Sequence, residues 1–134
     1  MSSKVLIVED EFLIGMEFEY SLQERGYDVI GVAADYESAV ALAVRRPDVA
    51  LVDVNLRDGP TGPAIARELA SGLGTSVVFV TANPRQLEQP LGGALGVVTK
   101  PADNDLVGAA VDYAVAVRSG QKREPPSGLL PLVY

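Results

Sequence analysis

With 134 residues and a formal net charge of −7, the chain is sized for one domain and lacks the basic surplus that nucleic-acid binding needs. It holds neither cysteine nor histidine, which excludes a disulfide framework, a thiolate nucleophile, a cysteine/histidine zinc site and a serine–histidine triad. Chemistry is left to carboxylates, hydroxyls, lysine and arginine, and the acidic balance suits divalent cations.

Residues 4–8 are an apolar run read as a buried strand that stops at Glu9-Asp10. The run is too short for a membrane span or a signal peptide, so no membrane contact and a cytoplasmic location are expected. Helix signals follow: Ile14, Phe18 and Leu22 share one face, and Gly26 supplies a stop. Phe12, Leu13, Met16 and Tyr20 add more apolar surface than one core stripe uses. Residues 27–33 read as a second strand and 36–46 as an alanine-rich helix that Pro47 terminates. Val49-Ala50-Leu51-Val52 then runs straight into Asp53, followed by Asn55 and an Asp58-Gly59 turn. A short apolar run bounded by turn residues reads as a strand buried on both faces. Residues 63–73 form a third helix, with Pro63 suited to its first turn.

Residues 75–80 are a fourth strand ending at Thr81. Residues 83–93 are the weakest helix segment, since Pro90 and Gly92-Gly93 stop it early. Residues 94–99 are a fifth strand ending at Lys100-Pro101, and 103–118 a strong helix with Asp103 as N-cap. Residues 119–134 read as a tail without an output domain, leaving 1–118 as the folded unit. Strands alternating with helices imply βαβ units and right-handed crossovers. The expected fold is therefore α/β: a three-layer αβα sandwich around a five-stranded parallel sheet.

In that fold the ends of strands one, three, four and five carry Glu9-Asp10, Asp53, Thr81 and Lys100. Taken singly, each residue has a plain reading as a cap, a turn or a solvated charge. Those readings leave unexplained why all four land on one edge, where open parallel sheets collect their ligands. Two like charges about 4 Å apart repel by roughly 4 kcal/mol at an effective dielectric near 20, so the carboxylates need cations. Lys100 supplies one positive charge and a divalent ion the rest, with hard oxygen ligands favouring Mg2+. Asp53 is then a carboxylate nucleophile for a phosphoryl group. Thr81 and Lys100 would hold the phosphate oxygens, and the small Ala82 leaves the approach open.

Val8-Glu9-Asp10, Leu51-Val52-Asp53, Val80-Thr81-Ala82 and Thr99-Lys100-Pro101, in this order and spacing, resemble a response-regulator receiver domain. The resemblance covers about residues 4–118. It implies a flavodoxin-like fold with strand order 2-1-3-4-5, and a phosphorylation-dependent switch of two-component signalling that acts through protein–protein contacts. By the same resemblance, Asp53 accepts the phosphoryl group, Asp10 binds Mg2+ directly and Glu9 largely through water. The backbone carbonyl of Asn55 is a further ligand, while Thr81 contacts the phosphoryl group and Lys100 pairs with it. The donor would be a phosphohistidine on a sensor histidine kinase or a histidine phosphotransfer protein, a separate molecule because this chain has no histidine. The family pattern is broken at Val97, where an aromatic is usual, at Ala102 and Arg57, and by Pro90 in the fourth helix. The run from Val80 to Arg85 looks like receivers of unorthodox sensor kinases and stress-response partner switches.

Other motifs fall away. Gly59 and Ala64 do not fit a calcium loop begun at Asp53, and the Gly59–Gly62 stretch lacks the Lys-Ser/Thr of a P-loop. Haloacid-dehalogenase phosphatases want an acid where Asn55 stands. The competing function is a Mg2+-dependent hydrolase that uses Asp53 on an external substrate through an aspartyl-phosphate. Two surfaces are candidates for partners. Phe12, Leu13 and Met16 would face the kinase. Val107 and Val111 belong to a final helix that is apolar nearly all round and is expected to serve a homodimer or a regulated partner, unless the tail covers it.

Overall fold

Alternation along the first strand divides the core. Val5 and Ile7 enter one apolar cluster and Leu6 and Val8 the other, as the period of two in a strand requires. The computed structural model describes residues 2–87 and 94–132. In chain order it runs β1 (Lys4–Val8), α1 (Phe12–Glu24), β2 (Asp28–Ala33), α2 (Tyr36–Ala43), β3 (Val49–Val52) and α3 (Gly62–Arg67). Then come β4 (Ser76–Thr81), β5 (Ala94–Thr99), α4 (Asn104–Arg118) and β6 (Leu129–Pro131). The sheet order is β2-β1-β3-β4-β5-β6, with the first five strands parallel and β6 antiparallel to β5. Phe18 and Leu22 of α1 and Val107, Ala110, Val111 and Ala114 of α4 cover one face with Val5, Ile7, Leu51 and Val80. Ala39 and Ala43 of α2 and Ile65 and Ala66 of α3 cover the other with Leu6, Val52, Phe79 and Val97.

Register aligns the strand ends. Val8 lies beside Val52, Val52 beside Phe79, and Thr81 beside Thr99. The residues that follow these strands therefore emerge along one edge of the sheet. Helix signals behave as their chemistry dictates: Asp35 caps α2 through the Ser38 amide and Asp103 caps α4 through the Leu106 amide. Gly26, after α1, takes a φ of 94°, which suits glycine.

Several expectations change. Among the described residues the sheet has six strands rather than five, because the presumed tail returns to pair with β5. The second helix ends at Ala43 rather than residue 46, where tighter bonds from Arg45 to Leu42 and from Arg46 to Ala43 close it. The third helix widens into π turns over Glu68–Gly72. Residues 84–87 of the weak fourth helix are one 3-10 turn, and the rest of that segment, with Pro90, lies outside the described residues. Val107 and Val111 are fully buried against the sheet and are not free for a partner. They point inward because α4 must cover strands that are apolar on both faces. Along α4 only Asn104, Asp105 and Arg118 are exposed. Arg25 lies across Gly108, where a Cβ would sit 1.9 Å from its Nε, and donates to Asp112 at 2.6 Å.

Phe79 is fully buried at the sheet centre. Phe79→Ala should lower stability by about 3–5 kcal/mol, read as a lower urea midpoint at unchanged slope.

Candidate functional site

Four strand ends and the loops after them build the site. Glu9 and Asp10 follow β1, Asp53 follows β3, Thr81 closes β4 and Lys100 follows β5. Glu9, Asp53 and Thr81 are buried at 3%, 8% and 0% exposure, while Asp10 is exposed. Carboxylate oxygens of Glu9, Asp10 and Asp53 all lie within 4.8 Å of one another. The Lys100 ammonium bridges two of them, 2.5 Å from Glu9 Oε1 and 2.8 Å from Asp53 Oδ2. The Val54 amide donates to Asp53 Oδ1 at 2.7 Å and the Glu11 amide to Glu9 Oε2 at 3.1 Å. The Lys100 amide donates to the Thr81 carbonyl at 2.9 Å, and Thr81 Oγ1 accepts from the Asn83 amide at 3.1 Å.

Burial pushes the Glu9 carboxyl above its usual range, against hydrogen bonds from Lys100 and the Glu11 amide that favour its charged form. For Lys100, burial works against the ammonium, but hydrogen bonds to Asp53 and Glu9 outweigh it and the pKa rises. Three carboxylates facing one ammonium leave two negative charges to balance. The donors are all carboxylate oxygens, a set that suits a hard divalent cation, and exposed Asp10 lies on its way in.

The structure brings Glu9, Asp10, Asp53 and Lys100 together and places Thr81 on the same edge. Asn55 is half-buried two residues beyond Asp53, and Ala82 is exposed beside the site. Ala82, Lys100, Ala102, Ile14 and Phe18 line a groove of about 430 Å³ leading to it. Phe12 and Leu13 are each 73% exposed and Met16 47%, so their apolar surface faces solvent rather than the core.

Sequence reasoning missed two supports. A Cβ on Gly62 would sit 2.0 Å from the Asp53 carbonyl oxygen, so only glycine lets α3 start this close to the acid. Its amide donates to the Val54 carbonyl at 3.0 Å. The second support is the turn after Asp53. Arg57 pairs with Asp35 at the start of α2, and its amide donates to the Ala34 carbonyl at 3.1 Å. Asp58 accepts from the Tyr36 amide and the Thr61 hydroxyl, and the Thr61 bond holds its carboxyl below the usual range. The signal for these was weak, since glycine, arginine and aspartate are all ordinary loop residues.

A family model described as "Response regulator receiver domain" matches residues 5–112. The chain belongs to that family. It is 33% identical over 128 residues to the phyllosphere-induced regulator PhyR of Methylorubrum extorquens, covering 92% of this chain and 47% of that protein. It is 38% identical over 120 residues to the transcriptional regulatory protein PdtaR of Mycobacterium tuberculosis, covering 84% of this chain and 57% of that one. The crystal structure of PhyR from Brucella abortus superposes with a TM-score of 0.79 at 31% identity, over 90% of this chain and 50% of that one. The chain thus spans about half the length of the curated relatives it matches. Among the described residues, no helix is long and apolar enough to cross a membrane.

Removing the ammonium tests the charge balance. Glu9 has a raised pKa in the fold, and Lys100→Met should raise it further. A carboxyl with a raised folded pKa loses its stabilising contribution as pH climbs from the unfolded value, about 4.3, through the folded one. Urea unfolding should therefore show the variant close to wild type below about pH 4 and weaker by about 3–5 kcal/mol near pH 7. Added Mg2+ should restore part of the loss at pH 7.

Proposed function

We propose that the chain is a phosphorylation-dependent signalling switch, in which Asp53 accepts a phosphoryl group from the phosphohistidine of a sensor histidine kinase or histidine phosphotransfer protein. The observation that carries this reading is the buried Asp53 carboxylate gripped by Lys100 and flanked by Glu9 and Asp10. Asp10, Asp53 and Glu9 would hold Mg2+, with the Asn55 backbone carbonyl as a further ligand. The ion, when bound, neutralises charge on the phosphoryl oxygens. An Asp53 oxygen forms the new O–P bond while the donor's P–N bond breaks and its electron pair leaves on the imidazole. Lys100 faces the phosphoryl oxygens with its positive charge, and the Thr81 hydroxyl donates to them. Asp53 is already desolvated, so little solvent must be rearranged when charge moves onto it.

A charge change at Asp53 alters the resting clamp. Lys100, now held by Glu9 and Asp53, gains a new anionic partner, and the backbone bond from Lys100 to Thr81 links that change to the ends of β4 and β5. Phe12, Leu13 and Met16, exposed on α1 beside this edge, are the surface on which the donor would dock. Asn55, in place of the acid that a phosphatase of the haloacid type needs, favours the switch over a hydrolase acting on external esters.

Incubation with Mg2+ and acetyl phosphate should give a phosphoprotein near one phosphate per chain. Asp53→Asn should abolish it and Asp10→Ala should weaken Mg2+ binding severely while leaving the fold intact, as intact-mass spectrometry and calorimetric titration would show. Rapid turnover of many phosphate esters without a lasting phosphoprotein would favour the hydrolase instead.

A further inference from the structure

On the face of the sheet away from α4, helices α2 and α3 leave a hollow between them. Ala39 and Ala43, one turn apart on α2, line it, and their side chains are too short to reach across. Beyond Arg67, α3 widens into π turns over Glu68–Gly72, a departure from regular helix that recurs at functional sites. The resulting cavity has a volume of about 430 Å³, within the range of small-molecule sites. Its inner wall is Ala39, Ala43, Ile65 and Leu69, none more than 8% exposed. Its mouth is bordered by Val40 and Val44, which are exposed. Glu9, Asp10, Asp53 and Lys100 do not line it.

Two polar side chains border the cavity, and both present acceptors. Tyr36 Oη donates to Glu68 Oε1 at 2.5 Å, which fixes the carboxylate without neutralising its charge. The Ser71 hydroxyl spends its proton on the Arg67 carbonyl at 2.6 Å and keeps its lone pairs. Among the described residues no lysine or arginine forms an ion pair with Glu68, and none lines the cavity. An apolar interior with an anionic, acceptor-only border complements an apolar body that ends in a cationic donor. An anionic amphiphile would set like charge against Glu68.

We propose that this cavity is a binding site for a small amphiphilic amine, its apolar body lodged between α2 and α3 and its ammonium at Glu68. The concave inner wall selects a compact body such as a ring or short alkyl chain, whose burial supplies the affinity. The carboxylate sets the orientation and rejects anions. The site stands apart from the strand ends and does not depend on the chemistry proposed for Asp53.

The test titrates the full 15N-labelled chain with three compounds that share one ring: cyclohexylmethylammonium, cyclohexylmethanol and cyclohexanecarboxylate. The ammonium should shift the Ala39, Ala43 and Leu69 amides saturably, with an affinity on the order of mM. It should bind about two- to fivefold more tightly than the alcohol, and the carboxylate more weakly than either. Glu68→Gln, at an exposed position, should reduce the ammonium to the affinity of the alcohol. Ala43→Leu should fill the cavity and abolish binding of all three. Should Ala43→Leu not fold, Gly72→Leu serves instead, since a Cβ at Gly72 meets nothing within 4 Å. Absence of saturable shifts, equal binding of the three compounds, or undiminished binding by the filled variant overturns the proposal. So does a wild-type dimer in sedimentation that the filled variant dissociates, because the cavity then belongs to a second copy of the chain.

Discussion

The Lys100 ammonium, held 2.5 Å from Glu9 and 2.8 Å from Asp53, is the contact on which the site depends. Two buried carboxylates this close repel strongly in a medium poorer in water than the surface, and the lysine sets a positive charge against both. It reaches them because β5 runs parallel to β4 in a register that places Thr81 beside Thr99, one residue before the lysine. The sheet is thus the device that brings a base from residue 100 to acids at 9 and 53. The formal balance is incomplete by two charges, a deficit whose chemistry suits a divalent cation.

Much of this was legible in the sequence because strand ends are chemically abrupt. Val8-Glu9, Val52-Asp53 and Thr99-Lys100 each pass from β-branched residues to charge in one step, which marks both the end of a strand and the edge of a sheet. The caps Asp103 and the stop at Gly26 were readable for the same local reason. What escaped depends on distance in the chain. Gly62 is required by its approach to the Asp53 backbone, and a glycine beside a proline looks like any turn. Val107 and Val111 looked available because α4 is apolar almost all round, yet the burial of each face is decided by the sheet on one side and Arg25 and residues after α4 on the other.

The largest departure from the sequence reading lies at the same end of the sheet. Leu129, Leu130 and Leu132 read as a small apolar end to a proline-rich tail, and a pairing of three residues with a strand about 30 positions earlier leaves no periodic signal. Its partner residue, Val97, stands where the family usually carries an aromatic, and here it is 3% exposed within the core next to that strand. The acids and the lysine of the site thus keep the family pattern, while the β5 edge beside them is finished by the chain itself.

The central claim, that Asp53 is the residue which takes the phosphoryl group, is tested most directly by trapping the product. Borohydride reduction of the chain after exposure to Mg2+ and acetyl phosphate converts an acyl phosphate to the alcohol, and peptide mass spectrometry locates it. The account predicts homoserine at position 53 and at no other acid. Homoserine at Asp10 or another carboxylate, with Asp53 intact, would contradict it.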